Sequence, residues 1–254
     1  MSKAALTEEK ETLLIPLYGK AKETKKELPL IIDIKAVEMT EQIDYDFSSL
    51  RIPEKTNIMM CLRAKLIDNF VKGFLEKNNG CVALHLGCGL DSRFNRLGEW
   101  NVDWYDVDFE EVIELKKMFF LETSQYHLIP SSVTENEWVN KVPANNPHNI
   151  VIAEGLFMYL KEKDIRHLLW NLKNRLGSYT LIFDAFSVFA ARKAGNHPSI
   201  KKTGAALQWG IDNPRELENW ELGIHFLEEI LFTSNEEVKK LGIETRIMYQ
   251  IANL

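Results

Sequence analysis

The twelve residues from Val82 to Arg93, Val-Ala-Leu-His-Leu-Gly-Cys-Gly-Leu-Asp-Ser-Arg, constrain this chain more than any other stretch. A short apolar run ends in Gly-x-Gly and passes directly into a helical pattern. Strand, glycine turn and helix in that order is how α/β proteins build a nucleotide-type cofactor site at the carboxyl end of a parallel strand. Taken alone, Gly-x-Gly is also what any tight strand-to-helix turn asks for, because glycine reaches backbone conformations that other residues avoid. The flanking sequence decides between these readings.

Upstream, residues 56–77 predict an amphipathic helix. Ile58, Met59, Leu62, Leu66, Ile67, Phe70, Val71, Phe74 and Leu75 recur at spacings of three and four, and Asn78-Asn79-Gly80 closes the run. After the strand at 82–87, strands are predicted at 102–108, 126–133, 149–154 and 179–186. They alternate with helices at 110–120 and 163–176, which implies a mainly parallel sheet covered on both faces. His225–Phe232 and Arg246–Asn253 read as two last strands that close the sheet as an antiparallel hairpin. Residues 7–50 read as helical and form, within 1–55, a lid segment folded over a single domain spanning 1–254. In that segment Lys20–Glu27 is a charge run whose simplest reading is a solvated face. Residues 190–222 are a polar excursion on the substrate side.

The balance of charge excludes some functions. A formal net charge of -6 argues against bulk nucleic-acid binding. No apolar run approaches the roughly 18 residues needed to span a bilayer, and the first residues lack the apolar core of a signal peptide. The three cysteines, Cys61, Cys81 and Cys88, have no metal-type spacing and fit reduced thiols. The expectation is a cytoplasmic enzyme with a small-molecule substrate, no nucleic-acid or membrane partner and no metal.

Which cofactor the glycine turn serves follows from what surrounds it. A dinucleotide fingerprint would place a third glycine where Ser92 stands, and no Gly-Lys-Ser/Thr marks a triphosphate loop. Acidic residues follow instead. Asp91 comes just after Gly87-Cys88-Gly89, and Asp108 lies nineteen positions past Gly89, where a carboxylate accepts from both hydroxyls of an adenosine ribose. Asp106 is the alternative, on the same strand face but farther from the turn. Glu154 ends an apolar strand beside Gly155 and either points a carboxylate into the cleft or caps the next loop. Arg63 interrupts the apolar stripe of its helix, between Met59, Leu66, Ile67 and Phe70. A buried charge there needs an anionic partner: a structural salt bridge, a path to solvent, or a ligand carboxylate. S-adenosylmethionine carries an ammonium, a sulfonium and a carboxylate but no phosphate. Acids for its cations and Arg63 for its carboxylate make a coherent set. An NAD(P)-dependent oxidoreductase on the same type of fold, and a non-catalytic protein that kept the cofactor site, are the competing readings.

These motifs together resemble the leucine carboxyl methyltransferase superfamily, and most of all its bacterial branch of tetracenomycin-type polyketide O-methyltransferases. The resemblance runs over nearly the whole chain, through Glu11–Tyr18, Asp33–Ala36, Tyr45–Phe47, Leu86–Arg93, Trp104–Asp108, Glu154–Leu160 and Phe183–Ala185. It implies a class I S-adenosylmethionine-dependent methyltransferase fold, Rossmann-like, with a C-terminal antiparallel strand and a helical N-terminal lid. Position by position it implies Arg63 at the cofactor carboxylate, Gly87 in the methionine-binding loop and Asp108 at the ribose. Ser132 and Val133 fall at the adenine, with serine where relatives often carry aspartate, and Glu154 aligns with an acidic residue at the cofactor. Cys88 stands where alanine is commoner, and its thiol is read as non-catalytic.

Methyl transfer from a sulfonium is an in-line displacement, so positioning does most of the work. A carboxylate acceptor is already anionic, whereas a phenol needs a base or a pocket that lowers its pKa. His85, His148 and His167 read as packed or surface residues, which leaves His197 as the histidine nearest to substrate. Small-acid O-methylation is therefore expected, with Tyr18, Tyr159 and Trp209 as candidate substrate contacts.

Overall fold

The computed structural model describes residues 8–144, 146–194 and 207–231. Its first helices are α1 (Glu8–Thr24), α2 (Ile34–Gln42) and α3 (Glu54–Lys77). Then β1 (Cys81–Leu86), α4 (Arg93–Leu97), β2 (Val102–Asp108), α5 (Glu110–Lys117) and β3 (Tyr126–Pro130) follow. β4 (Asn149–Ala153), α6 (Glu162–Leu176), β5 (Thr180–Phe183) and α7 (Val188–Ala194) complete the main elements, joined by short 3-10 turns.

The five strands are parallel, in the order β3-β2-β1-β4-β5. From β1 the chain steps outward to β2 and β3, then crosses back to lay β4 and β5 on the other side. Strand order thus reverses between β1 and β4, where open α/β sheets bind their ligands. β1 is buried at every residue, as a central parallel strand covered on both faces should be. Alternate residues feed two cores. Ala83, Trp104, Leu128, Ile150 and Ile152 face Ile67, Val71 and Leu75 of α3 together with Leu14 and Leu17 of α1. Val82, Leu84, Leu86, Val107, Val151 and Ala153 face Ile165, Leu168, Leu169, Leu172 and Leu176 of α6.

Helix ends follow ordinary chemistry. Asp33 caps α2 by accepting from the Ala36 N–H at 2.9 Å. Acidic residues in the first turns of α5 and α6, and basic ones in their last, complement the helix dipoles.

Three expectations are corrected. Residues 225–231 form no strand, and Arg246–Asn253 lies outside the described residues. The strand expected at 179–186 is four residues long, half-buried, and ends at Phe183, so Asp184 emerges at its carboxyl end. The charge run is not uniformly solvated: Lys20 is 5% and Glu23 1% exposed, because α1 turns both inward while Lys25 and Glu27 stay outside.

Candidate functional site

The site gathers at the carboxyl ends of β1, β2, β4 and β5. After Leu86 the chain must turn sharply. The Gly87 and Cys88 N–H groups both reach the Val107 carbonyl, at 2.8 and 3.3 Å. Gly87 takes φ +61°, and a Cβ there would lie 3.0 Å from Leu156 Cδ1. The position therefore demands glycine for its conformation and for its close approach to the β4 turn. Cys88 is buried and its thiol is pushed well above the ordinary range by burial, so it is no nucleophile.

Asp108 ends β2 and reaches back to the turn. It accepts from the Gly89 N–H at 2.7 Å and from the Phe109 N–H at 2.8 Å. Burial raises its carboxyl despite these two donors. Asp106 is committed elsewhere. Lys116 Nζ lies 2.6 Å away, Tyr126 Oη donates at 2.5 Å, and Trp104 Nε1 donates at 2.8 Å. Although burial opposes it, Lys116 and His85 hold Asp106 below the usual carboxylate range. Of the two aspartates, Asp108 is the one at the cleft. Beneath the turn, Arg93 Nη1 donates to His85 Nε2 at 3.1 Å, which leaves the ring hydrogen on Nδ1 facing Asp106 at 3.3 Å. Burial keeps this histidine neutral.

Around the turn runs a connected ionic cluster. Glu154, at the end of β4, accepts from Arg63 Nε at 2.9 Å and from Arg93 Nη2. Burial alone would raise its carboxyl, but Arg93 and Arg63 hold it at about 2. Asp91 meets Arg96 at 2.8 Å, Lys20 at 3.2 Å and Arg93 at 3.5 Å, and these overcome burial to hold it far down. Asp68 of α3 is shared by Arg93 and Arg96, each at 2.7 Å. Asp33 bonds Arg96 at 2.9 Å and Ser92 Oγ at 2.5 Å. Asp184 takes Arg63 Nη1 at 3.0 Å. Among the described residues, the linked acids are Asp33, Asp68, Asp91, Glu154 and Asp184, and the linked bases are Lys20, Arg63, Arg93 and Arg96. Formally this cluster carries one negative charge too many, and Asp108, held only by N–H groups, adds a further carboxylate at the cleft. Excess buried negative charge is costly, so a ligand of net positive charge fits the site and a pyrophosphate does not. S-adenosylmethionine, with two cationic groups and one carboxylate, is such a ligand.

Arg63 thus proves to have protein partners, yet the guanidinium is not exhausted. Its bonds use Nε and Nη1, and among the described residues Nη2 has none; the side chain is 20% exposed. Of the other expected residues, Ser132 follows β3 and pairs its hydroxyl with Thr134 at 2.8 Å, and Val133 is buried beside it. Tyr159 is 40% exposed beyond the β4 turn, and burial raises its phenol while the charges of Arg63 and Asp184 act on it. Tyr18 stacks on Phe47 at 5.3 Å. Trp209 is a correction: it is 7% exposed, ringed by Phe157, Phe183 and Trp220 at 6.1 to 6.4 Å, and serves as core of the wall rather than as an open contact. His197 lies outside the described residues. A groove of about 740 Å³ runs along the outer edge of β5 between Phe70, Phe183 and Ile211. It meets the site at Asp184 and does not include the glycine turn.

The sequence reading assigns no site role to Lys20, Asp33, Asp68, Arg93, Arg96 or Asp184. The signal available for Arg93 and Arg96 was their spacing of three beside the glycine turn, which puts both on one helix face. Nothing local marks Asp184, whose partner Arg63 is 121 residues away.

The leucine carboxyl methyltransferase family model matches residues 18–173. The chain is 38% identical over 225 residues to the tetracenomycin polyketide synthesis O-methyltransferase TcmP of Streptomyces glaucescens, covering 88% of this chain and 83% of that protein. It is 29% identical over 252 residues to the S-adenosyl-L-methionine-dependent methyltransferase dpfgK of Gibberella zeae, covering 90% and 84% respectively. Human N-acetylserotonin methyltransferase overlays with a TM-score of 0.44 at 12% identity, covering 81% of this chain and 59% of that one. The protein is a methyltransferase of the class I, Rossmann-like kind. It belongs to the leucine carboxyl methyltransferase family and is an S-adenosylmethionine-dependent O-methyltransferase.

Proposed function

We propose that the protein methylates a carboxylate oxygen of a small organic acid, polyketide-like or otherwise. The single observation that carries the donor half is the ionic cluster, one negative charge in excess, wrapped around a glycine turn at the sheet's reversal. In this reading Nη2 of Arg63 takes the donor's carboxylate, while Glu154 and Asp91 balance its ammonium end. Gly87, Cys88 and Gly89 admit the methionine chain past their backbone. Asp108, already fixed by two N–H groups, accepts from the ribose hydroxyls with its remaining lone pairs. Ser132 and Val133 flank the adenine.

When bound, the donor supplies an electrophilic methyl group on a sulfonium. The protein's part is to hold the acceptor in line with it and to keep water out. Tyr159 and Tyr18 are assigned to the acceptor side. A carboxylate acceptor arrives as an anion and requires no proton transfer, which suits a site whose described acids, Asp108 apart, are locked in ion pairs. The family's description names a carboxyl acceptor, and the relative from Streptomyces acts in polyketide synthesis, both of which favour an acid. We further infer that the enzyme is cytoplasmic and works without nucleic-acid or membrane partners. Its three free, buried thiols suit a reducing compartment, and none of the described helices is long and apolar enough to cross a membrane.

The test is a panel of aromatic carboxylic acids and phenols with donor labelled in the methyl group. Label that mild alkali releases as methanol identifies an ester and supports the proposal. Label that survives alkali identifies an ether and refutes the carboxylate acceptor.

A further inference from the structure

We propose that Asp184 is a positioning residue for the donor site, acting through Arg63 and the turn at Gly155. The proposal rests on the assignment of Arg63 to the donor's carboxylate. Asp184 leaves the carboxyl end of β5 with its side chain 9% exposed. Its two oxygens do different work. Oδ2 accepts from Arg63 Nη1 at 3.0 Å, and Oδ1 accepts from the Gly155 N–H at 2.6 Å. Gly155 follows Glu154 directly and has φ +63°, and a Cβ added there would lie 3.4 Å from Arg63 Nη2. One carboxylate therefore fixes both the guanidinium and the backbone turn that delivers the guanidinium's other partner.

The geometry explains why two anchors are needed. Glu154 holds Arg63 by Nε alone, and a planar group held at one corner can still rotate. Adding Asp184 at Nη1 fixes the plane of the fork, leaving Nη2 as the edge presented to a ligand anion. Preorganising a charged donor in this way removes the ordering cost from the binding step.

Calorimetry with S-adenosylhomocysteine, which binds without turnover, tests this on Asp184→Asn, Arg63→Ala, the double variant and Arg63→Lys, with thermal melts on each. Asparagine keeps an oxygen for the Gly155 N–H but puts an NH2 where Arg63 needs an acceptor. Asp184→Asn should weaken binding roughly 10-fold, with kcat at saturating donor within about 3-fold of wild type, in line with the loss of one charge-assisted hydrogen bond. In the Arg63→Ala background the same change should have no further effect on affinity. Arg63→Lys keeps the charge but has no fork, and should bind as weakly as Arg63→Ala. Wild-type affinity in Asp184→Asn, an equal loss in both backgrounds, or full affinity in Arg63→Lys overturns the proposal and leaves the Arg63 assignment standing. Unchanged affinity in Arg63→Ala overturns that assignment, and the positioning role with it.

Discussion

Glu154→Gln removes one charge from the centre of the ionic cluster while keeping volume. The side chain is 8% exposed and carries two guanidinium partners, so its ionisation is tied to the stability of the fold. Its carboxyl stands at about 2 against an ordinary 4.5. At about 1.4 kcal/mol per unit, ionised Glu154 contributes roughly 3 kcal/mol to folding at neutral pH. Because the folded value is the lower one, this stabilisation is fully present above about pH 4.5. It fades as the pH falls towards about 2, with about half remaining near pH 3. For a chain of 254 residues the unfolding entropy is about 0.5 kcal/mol per kelvin, so glutamine should lower Tm by about 6 °C at pH 7. The deficit should shrink by about half near pH 3. Calorimetric melts of both proteins across pH 7 to 3 measure it, provided unfolding is reversible. The change also neutralises the cluster's excess charge, so S-adenosylmethionine should bind at least about 10-fold more weakly, equivalent to about 1.4 kcal/mol. Equal Tm at pH 7, or a deficit that does not narrow in acid, would refute the reasoning that the two arginines stabilise an ionised Glu154.

Other positions make independent predictions. Gly87→Ala combines a left-handed φ with a 3.0 Å approach to Leu156, and should cost about 1–3 kcal/mol in denaturant melts; Leu156→Ala should recover the contact share and not the backbone share. Asp108→Asn should reduce S-adenosylhomocysteine affinity about 10- to 100-fold in calorimetry. Lys116→Met strands Asp106 without its closest cation and should cost about 3–5 kcal/mol in urea melts. Trp209→Ala, at a site enclosed by aromatic rings, should lower stability by about 3–5 kcal/mol in the same melts, with KM for the acceptor within about 3-fold if the ring is core.

The sheet was legible because strand and helix periods alternate cleanly from Cys81 to Phe183, and because Gly87 follows a fully buried strand. Asp108 could be found from its distance to the turn, since a βαβ unit fixes roughly how far on the next strand ends. Arg63 could be flagged as a charge inside an apolar stripe, but its partners could not be named. Glu154 and Asp184 lie 91 and 121 residues away, and pairing at that range depends on sheet order rather than local pattern. Lys20 and Glu23 were hidden among charges of the same kind, where composition cannot tell which face of a helix turns inward. Trp209 misled because a polar stretch carries it, although an aromatic wall of Phe157, Phe183 and Trp220 encloses it. The residues at 225–231 have strand-like composition but no ladder among the described strands.

The most direct measurement is the structure of the protein with S-adenosylhomocysteine bound. Density is expected at the carboxyl ends of β1, β2 and β4, with the ligand carboxylate on Nη2 of Arg63, its ammonium beside Glu154 and Asp91, and the sugar hydroxyls on Asp108. Density in the groove along β5, or a ligand that leaves Arg63 and Asp108 untouched, would contradict it.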